Sequence, residues 1–432
     1  MIADLKISLC DLSMALSDVM DLVSPVFSGH HRQVAYIALS ISREMGLPES
    51  ERSTIAFAAA LHDMGALSVR ERVSAMEFEV VQPHAHAEHG YSLLRTFAPL
   101  AEAADIIRLH HVRWDERLDS EVVEAAGGNV PLGSYIVHIS DRIAVLIDRT
   151  RDVLSQSGSI RDRIARESGA MFMPELVDVF EKLANREYFW LDLSSPSVGS
   201  VLHKRMHKAD VELDFDMLLS LADLFRRTID FRSRFTATHS AGVAAVAESL
   251  ASRIGFSRRE CLHMEVAGYL HDLGKLAIPT ELLEKPGRLS PEEMNVMKSH
   301  TFYTYRTLES IPELSTIAEW AAFHHERIDG TGYPFKLSRK ELPIGSRVMA
   351  VADVFTALTE DRPYRKGMSP EQAARVIRKM ADGQALDPDV ASEALTDLES
   401  INQARIDAQS KSTIEYDSFS SIPTEGRSAT SD

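Results

Sequence analysis

Residues 269–274 read Tyr269-Leu270-His271-Asp272-Leu273-Gly274, and residues 60–65 read Ala60-Leu61-His62-Asp63-Met64-Gly65. In each, an apolar residue runs into a His-Asp pair and a glycine follows. Outward from the pair, the same residue types recur at matching distances. His30 precedes His62 by 32 residues, as His239 precedes His271. His86 precedes His110-His111 by 24 residues, as His300 precedes His324-His325. Gly133-Ser134 leads to Asp141 by the same steps that lead from Gly345-Ser346 to Asp353. Two spacings differ: 24 against 29 residues after the His-Asp pair, and 30 against 28 before the last Asp. Such small differences fit changes in loop length. A self-similarity of this kind predicts one domain present twice.

The patterning around these residues is helical. Val34–Glu44, Ser53–Ala60, Gly242–Ile254 and Arg347–Thr359 repeat apolar residues at intervals of three and four, and strict alternation is short and rare. Breakers separate the segments at Gly46-Leu47-Pro48, Lys285-Pro286-Gly287 and Asp329–Pro334. The expected fold class is all-α, two tandem helical domains joined by a helical linker. The expected boundaries are an amphipathic helix over 1–25, a first domain over 26–150, and a linker or dimer stalk over 151–229. A second domain follows over 230–400, then a flexible tail over 401–432 rich in Ser, Thr and acidic residues. The amino-terminal helix places Leu5, Leu9, Leu12, Leu16 and Met20 on one face. Its polar face is acidic, which favours packing or homodimerisation over a membrane surface.

Composition narrows the function. The 432 residues carry a net charge of −17, with no basic stripe, which argues against a nucleic-acid polymer as partner. A small anionic ligand is compatible, because local cations or metals overrule the global sign. Cys10 and Cys261 are the only cysteines, so neither a disulfide framework nor a thiolate zinc site is expected, and a reducing cytoplasm fits. Apolar runs such as Ile55–Leu61 and Val348–Ala352 fall far short of the roughly 18 residues a membrane span needs. The amino terminus lacks the cationic and apolar regions of a signal peptide.

In the second copy His239, His271, Asp272, His300, His324, His325 and Asp353 form a nitrogen and carboxylate set without thiolate, which suits Fe, Mn, Zn or Ni. Seven ligands exceed what one ion needs, whereas two ions with Asp272 as the bridge use them economically. Two ions about 3.5–4 Å apart would share a hydroxide nucleophile and clamp the attacking and leaving oxygens of a phosphodiester. A single histidine on a helix is more often a packing residue than a ligand. Seven such residues in this order, present twice, are not explained by packing.

At these residues the chain resembles the HD superfamily of metal phosphohydrolases, which the His271-Asp272 pair names. The run His324-His325-Glu326-Arg327-Ile328-Asp329-Gly330-Thr331-Gly332-Tyr333-Pro334 resembles the signature of HD-GYP domains. Leu270–Lys275, Ile278-Pro279, Lys285-Pro286-Gly287 and Arg362-Pro363-Tyr364-Arg365 are similar to further words of that family. The resemblance implies cleavage of cyclic di-GMP, or in some members 3',3'-cyclic GMP-AMP, to a linear dinucleotide. It also implies an iron centre, or a manganese one. Asp272 and Lys275 are then the expected catalytic residues. Lys275, four residues after His271, is expected on the same helix face, where it would neutralise a phosphate oxygen. Arg362 and Arg365 would grip the second phosphate. Tyr333 would stack on a base, donate to phosphate, or serve structure alone. Some family members hold a third metal with a glutamate four residues before the first histidine. That position is Phe235 here, so two divalent ions are expected.

The first copy keeps a full ligand-type set in His30, His62, Asp63, His86, His110, His111 and Asp141. Its lysine position is Ala66, Val112-Arg113-Trp114-Asp115 follows the His pair without a GYP, and Arg149 and Arg151 lie out of register. Three readings stay open: a metal site for another phosphoester, a regulatory or dimerising domain with a retained metal, or a relic. For the whole chain, a non-catalytic cyclic dinucleotide effector and a general HD nucleotidase or phosphatase compete with the phosphodiesterase.

Overall fold

The structure, a computed structural model, describes residues 7–23, 28–80, 83–117, 121–206, 211–233, 236–361 and 366–422. Arg362, Arg365 and Phe235 lie outside the described residues. Helices dominate, and the strands among the described residues are the two-residue pair Ile7–Ser8 and Glu212–Leu213. The chain divides into two compact units, with a boundary in sequence between Glu212 and Leu213.

Each unit is built on the same succession of helices. In the first, His30–Glu44 packs on Glu49–Leu61 and on Leu132–Val145, while Pro83–Leu94 packs on Ala101–Arg108. In the second, His239–Ile254 packs on Arg258–Leu270 and on Ile344–Thr359, while Pro291–Glu309 packs on Ser315–Ala322. The His-Asp pair ends the second helix of each set. His62 and His271 both cap their helix at φ −58°, ψ −33°, and Ala66 and Lys275 then donate their N–H to the carbonyls of Asp63 and Asp272. The following glycine is required by close approach. A Cβ on Gly65 would stand 2.0 Å from the His86 carbonyl oxygen, and one on Gly274 would stand 1.9 Å from that of His300. Each turn thus lies directly on the helix that carries the next histidine. The serines of the Gly-Ser words repeat their bonds too: Ser134 Oγ donates to Ile106 O and Ser346 Oγ to Glu319 O.

Three expectations change. The stretch 151–229 is not a free linker. Val153–Arg166, Pro174–Ala184, Glu187–Ser194 and Val198–Met206 belong to the first unit, where the second and fourth of them pack on His30–Glu44. Phe215–Asp230 belongs to the second unit and packs on Arg258–Leu270. The amphipathic runs of the supposed linker are spent inside the two domains. The amino-terminal helix, Leu9–Asp21, is likewise taken up by the first domain, with Leu9, Leu12, Leu16 and Met20 buried. It offers no apolar face to a second chain.

The tail is also corrected. Leu398–Ser420 is a helix packed on His239–Ile254, and residues 423–432 lie outside the described residues. Its buried stripe is Ile401, Arg405, Ser412 and Phe419. Two of these four are polar, so hydropathy does not reveal the stripe. Arg226 donates to Ser412 Oγ at 2.7 Å and pairs with Glu415, and the Phe419 ring lies 5.1 Å from that of Phe231. Burying Ile401 and Phe419 contributes about 1.5–3 kcal/mol each to holding the helix down.

Candidate metal centre

In the second domain, seven side chains from five helices and their ends converge. His239 opens its helix, His271-Asp272 ends the next, and His300 sits within Pro291–Glu309. His324-His325 follow Ser315–Ala322, and Asp353 lies in Ile344–Thr359. The histidine tautomers are set by the backbone. Nδ1 of His271 lies 2.8 Å from Gly268 O, that of His300 lies 2.6 Å from Met297 O, and that of His324 lies 2.7 Å from Ala321 O. Each Nδ1–H donates to its carbonyl and leaves the Nε2 lone pair pointing inward, the arrangement metal-ligating histidines use.

Asp272 divides its two oxygens between two sets of ligands. Oδ2 lies 3.2 Å from His271 Nε2 and 4.0 Å from His239 Nε2, whereas Oδ1 lies 3.4 Å from His300 Nε2. His239 Nε2 is 3.2 Å from Asp353 Oδ1, and His300 Nε2 is 3.5 Å from His324 Nε2. Three overlapping groups able to hold an ion result: His239 with His271 and Asp353, His271 with Asp272 and His324, and His300 with His324 and His325. Buried lone pairs facing one another are costly unless a cation lies between them. His271 Nε2 is such an atom, buried and without a hydrogen bond. The residues therefore fit divalent metal.

The electrostatics agree. Burial pushes the Asp272 carboxyl up, but His271 and Lys275 beside it reverse this and hold it well below the usual carboxylate range. Burial drives His300 down to about 3, which keeps its lone pair available. For His239 burial is outweighed by Glu360 and Asp353, which raise it to about 10. The field that favours a proton there equally favours a cation.

Lys275 is not placed by the helix of His271, which ends at that residue. It sits in a 3-10 turn, Leu273–Ala277, and its ammonium pairs with Asp272 Oδ2. The expectation of a shared helix face is corrected, while the lysine still lines the cleft. That cleft of about 790 Å³ also includes His325, Tyr333 and Asp353, and its far wall runs from Leu282 to Leu289. The Tyr333 ring lies 5.0 Å from that of His325.

The HHE-x-x-DG-x-GYP word has a mechanical reading. Glu326 is buried, and its carboxylate accepts the N–H groups of Phe335, Lys336 and Leu337 at 2.6, 3.0 and 3.1 Å. Asp329 accepts from the N–H and hydroxyl of Thr331. A Cβ on Gly332 would stand 2.5 Å from Arg327 N and Glu326 Cα. These bonds fold the loop back and bring Tyr333 to the metal ligands.

Several residues at this site were not singled out from sequence. Glu360 Oε2 lies 3.1 Å from His239 Nδ1. Asp230 accepts from Ser240 Oγ at 2.8 Å beside His239, as Asp21 pairs with His31 beside His30. The only sequence signal was the register of the repeat, which aligns Asp21 with Asp230.

In the first domain the predicted set also comes together. His62 Nε2 lies 3.4 Å from Asp63 Oδ2 and 3.7 Å from Asp141 Oδ1, and His30 Nε2 lies 3.3 Å from Asp141 Oδ1. His86 Nε2 is 3.4 Å from Asp63 Oδ1 and 2.9 Å from His111 Nε2, and the rings of His86 and His110 lie 5.4 Å apart.

A tandem pair of helical domains, each gathering a His/Asp cluster around a His-Asp turn, defines the class, and the comparisons agree. Residues 27–146 and 223–390 each match an HD domain family. The chain belongs to the HD domain family, and its second domain carries the HD-GYP word from His324 to Pro334. It is 29% identical over 394 residues to a Vibrio cholerae protein named 3'3'-cGAMP-specific phosphodiesterase 1, across 89% of this chain and 90% of that one. It is 37% identical over 186 residues to a Thermotoga maritima protein named cyclic di-GMP phosphodiesterase, across 43% of this chain and 50% of that one. A crystal structure described as cyclic GMP-AMP specific phosphodiesterases in V. cholerae (V-cGAP3) shares the fold. Its TM-score is 0.63 at 22% identity, over 92% of this chain and 98% of that one. Among the described residues no helix is long and apolar enough to cross a membrane.

Proposed function

We propose that the second domain hydrolyses one phosphodiester bond of a cyclic dinucleotide, 3',3'-cyclic GMP-AMP or cyclic di-GMP, to give the linear dinucleotide. The observation that carries this reading is the division of the Asp272 carboxylate between two ligand groups. That arrangement suits two ions with one bridge, and two-ion sites serve in-line displacement at phosphorus. We assign the ions to His239, His271, Asp272 and Asp353 on one side and to His300, His324, His325 and Asp272 on the other. Iron fits this mixed imidazole and carboxylate set, and manganese is the second choice. When bound, the ions supply Lewis-acid charge and lower the pKa of water.

The chain's own groups do the rest. Lys275 neutralises a phosphate oxygen from its place beside Asp272. Tyr333, held over His325, presents a ring face or hydroxyl to the nucleotide. Arg362 and Arg365, outside the described residues, are assigned to the second phosphate. The cyclic GMP-AMP reading draws support from the full-length likeness to a protein named for that substrate. We assign the chain to the cytoplasm, where cyclic dinucleotides act. Self-association is assigned to the helix Glu187–Ser194, whose Tyr188 and Leu191 are each 51% exposed.

The test is chromatography of products from both cyclic dinucleotides, with metal content measured on the same sample. Linear product from wild type and none from Asp272→Ala is expected. Product that survives this substitution would sink the two-ion assignment.

A further inference from the structure

The first domain's cluster is closed where the second is open. All seven of its ligand-type side chains are buried, His111 at 5% exposure, whereas the side chain of its counterpart His325 is 32% exposed. The closure has identifiable parts. Arg142 follows Asp141 where the second domain has Val354, and its buried guanidinium donates to the carbonyls of Ala75, Glu77 and Phe78 and to Asp141. Arg72 donates to Ala66 O and Met20 O at 2.9 Å, beside the turn from which Lys275 projects in the second domain. The residues after His111 are pinned by a later segment: Trp114 N–H donates to Met171 O and Asp115 N–H to Ala170 O. Phe172 from that segment packs on His138, whose ring lies 5.9 Å from that of His111.

Inside this shell, imidazole nitrogens and carboxylate oxygens crowd together. His62 and His110 spend Nδ1 on Ala59 O and Ile107 O at 2.8 and 2.6 Å. Their Nε2 atoms, with Asp63 Oδ1 and Asp141 Oδ1, are buried and make no hydrogen bond. Four such atoms in one enclosed cluster cost several kcal/mol as they stand, on the order that buried unpaired groups cost elsewhere. His86, His110 and His111 together could hold a divalent cation, and Asp63 Oδ1 lies 3.4 Å from His86 Nε2.

We infer that the first domain is a sealed metal centre: it holds a divalent ion on His86, His110 and His111 with Asp63 beside them, admits no phosphoester, and uses the ion to stabilise its own fold. A metal enclosed by its ligands stabilises the folded state directly, because the unfolded chain has no preformed site. The inference is independent of the phosphodiesterase reading, which concerns the second domain alone.

The test uses the full chain with Asp272→Ala and His324→Ala together, which removes the second centre and leaves the first untouched. The protein is loaded with Mn(II) or Fe(II) without oxygen, and metal per chain is measured by mass spectrometry. Thermal unfolding is followed with and without chelator, and bis(p-nitrophenyl) phosphate serves as the phosphoester probe. The expected result is retained metal, an unfolding midpoint lowered by several degrees on chelation, and no hydrolysis of the probe. Metal at background overturns the inference, as does metal-dependent turnover or a midpoint that chelation does not move. Adding His110→Ala should remove the retained ion, and an ion that stays overturns the assignment of ligands. Should that triple variant fail to fold, the chelation result on the double variant decides.

Discussion

Glu360 Oε2 stands 3.1 Å from Nδ1 of His239 and holds the ring with Nε2 toward Asp353. His271, His300 and His324 are oriented by carbonyls of their own helices. His239 opens its helix, and its ring takes a carboxylate instead. Replacing such an outer partner typically costs metal affinity about 10–100-fold. Glu360→Ala should therefore lower metal affinity and turnover together by that range, with Glu360→Gln intermediate. Metal titration beside steady-state kinetics checks this. Turnover lost at full metal occupancy would place Glu360 in another role.

Glu326 closes the GYP loop by accepting three backbone N–H groups. Hydrogen bonds to a charged group contribute about 1.5–3 kcal/mol each, and buried N–H groups left unpaired add to the loss. Glu326→Ala should destabilise the second domain by roughly 2–4 kcal/mol and raise KM through misplaced Tyr333. Denaturant unfolding read beside KM distinguishes this from a direct metal role, because Glu326 faces the loop.

Gly274 and Gly65 lie under backbone carbonyls that cannot move aside. Gly274→Ala should cost roughly 2–4 kcal/mol and displace His300 from Asp272, with metal lost from the second domain. Gly65→Ala should destabilise the first domain to a similar degree. Calorimetry of the two variants reads this, and an unchanged midpoint in either would contradict the close approach.

The metal-free chain should lose stability on acidification. Burial lowers His300 to about 3 and places His324 well below its ordinary value, while both titrate normally when unfolded. Between roughly pH 6.5 and 3 the unfolded chain binds protons that the folded chain refuses, so stability falls as pH falls. The slope is about 1.4 kcal/mol per pH unit for each such histidine. His239, raised to about 10, acts oppositely, but its effect lies above pH 6.5. Unfolding midpoints of chelated protein at pH 7 and 5.5 check the sign.

How much of this was legible follows from what kind of signal each residue leaves. The seven residues that converge in each domain were readable because a repeat fixes their order, and residue type carries their chemistry. The helical class was readable from periodicity in segments such as His239–Ile254. Lys275 was readable as a residue but not in its placement, since the 3-10 turn after Asp272 leaves no periodic trace. Glu360 was not readable. Its partner is 121 positions away, and a glutamate beside an Asp-Arg run reads as surface charge. The carboxy-terminal helix escaped for a related reason: its buried stripe includes Arg405 and Ser412, whose partners come from distant segments. The linker helices were legible as helices but not as parts of the domains, because amphipathicity shows that a face is buried and not against what.

That carboxy-terminal helix reaches further than its own packing. Gln409 approaches the Glu360 carboxylate at 3.4 Å, and its side chain lies over Gly242 one turn from His239. Two contacts therefore join this helix to the surroundings of His239. Trimming at Asp397 would remove a strut rather than a leash, and whatever grips or lifts this helix acts on the grip the enzyme has on its ions.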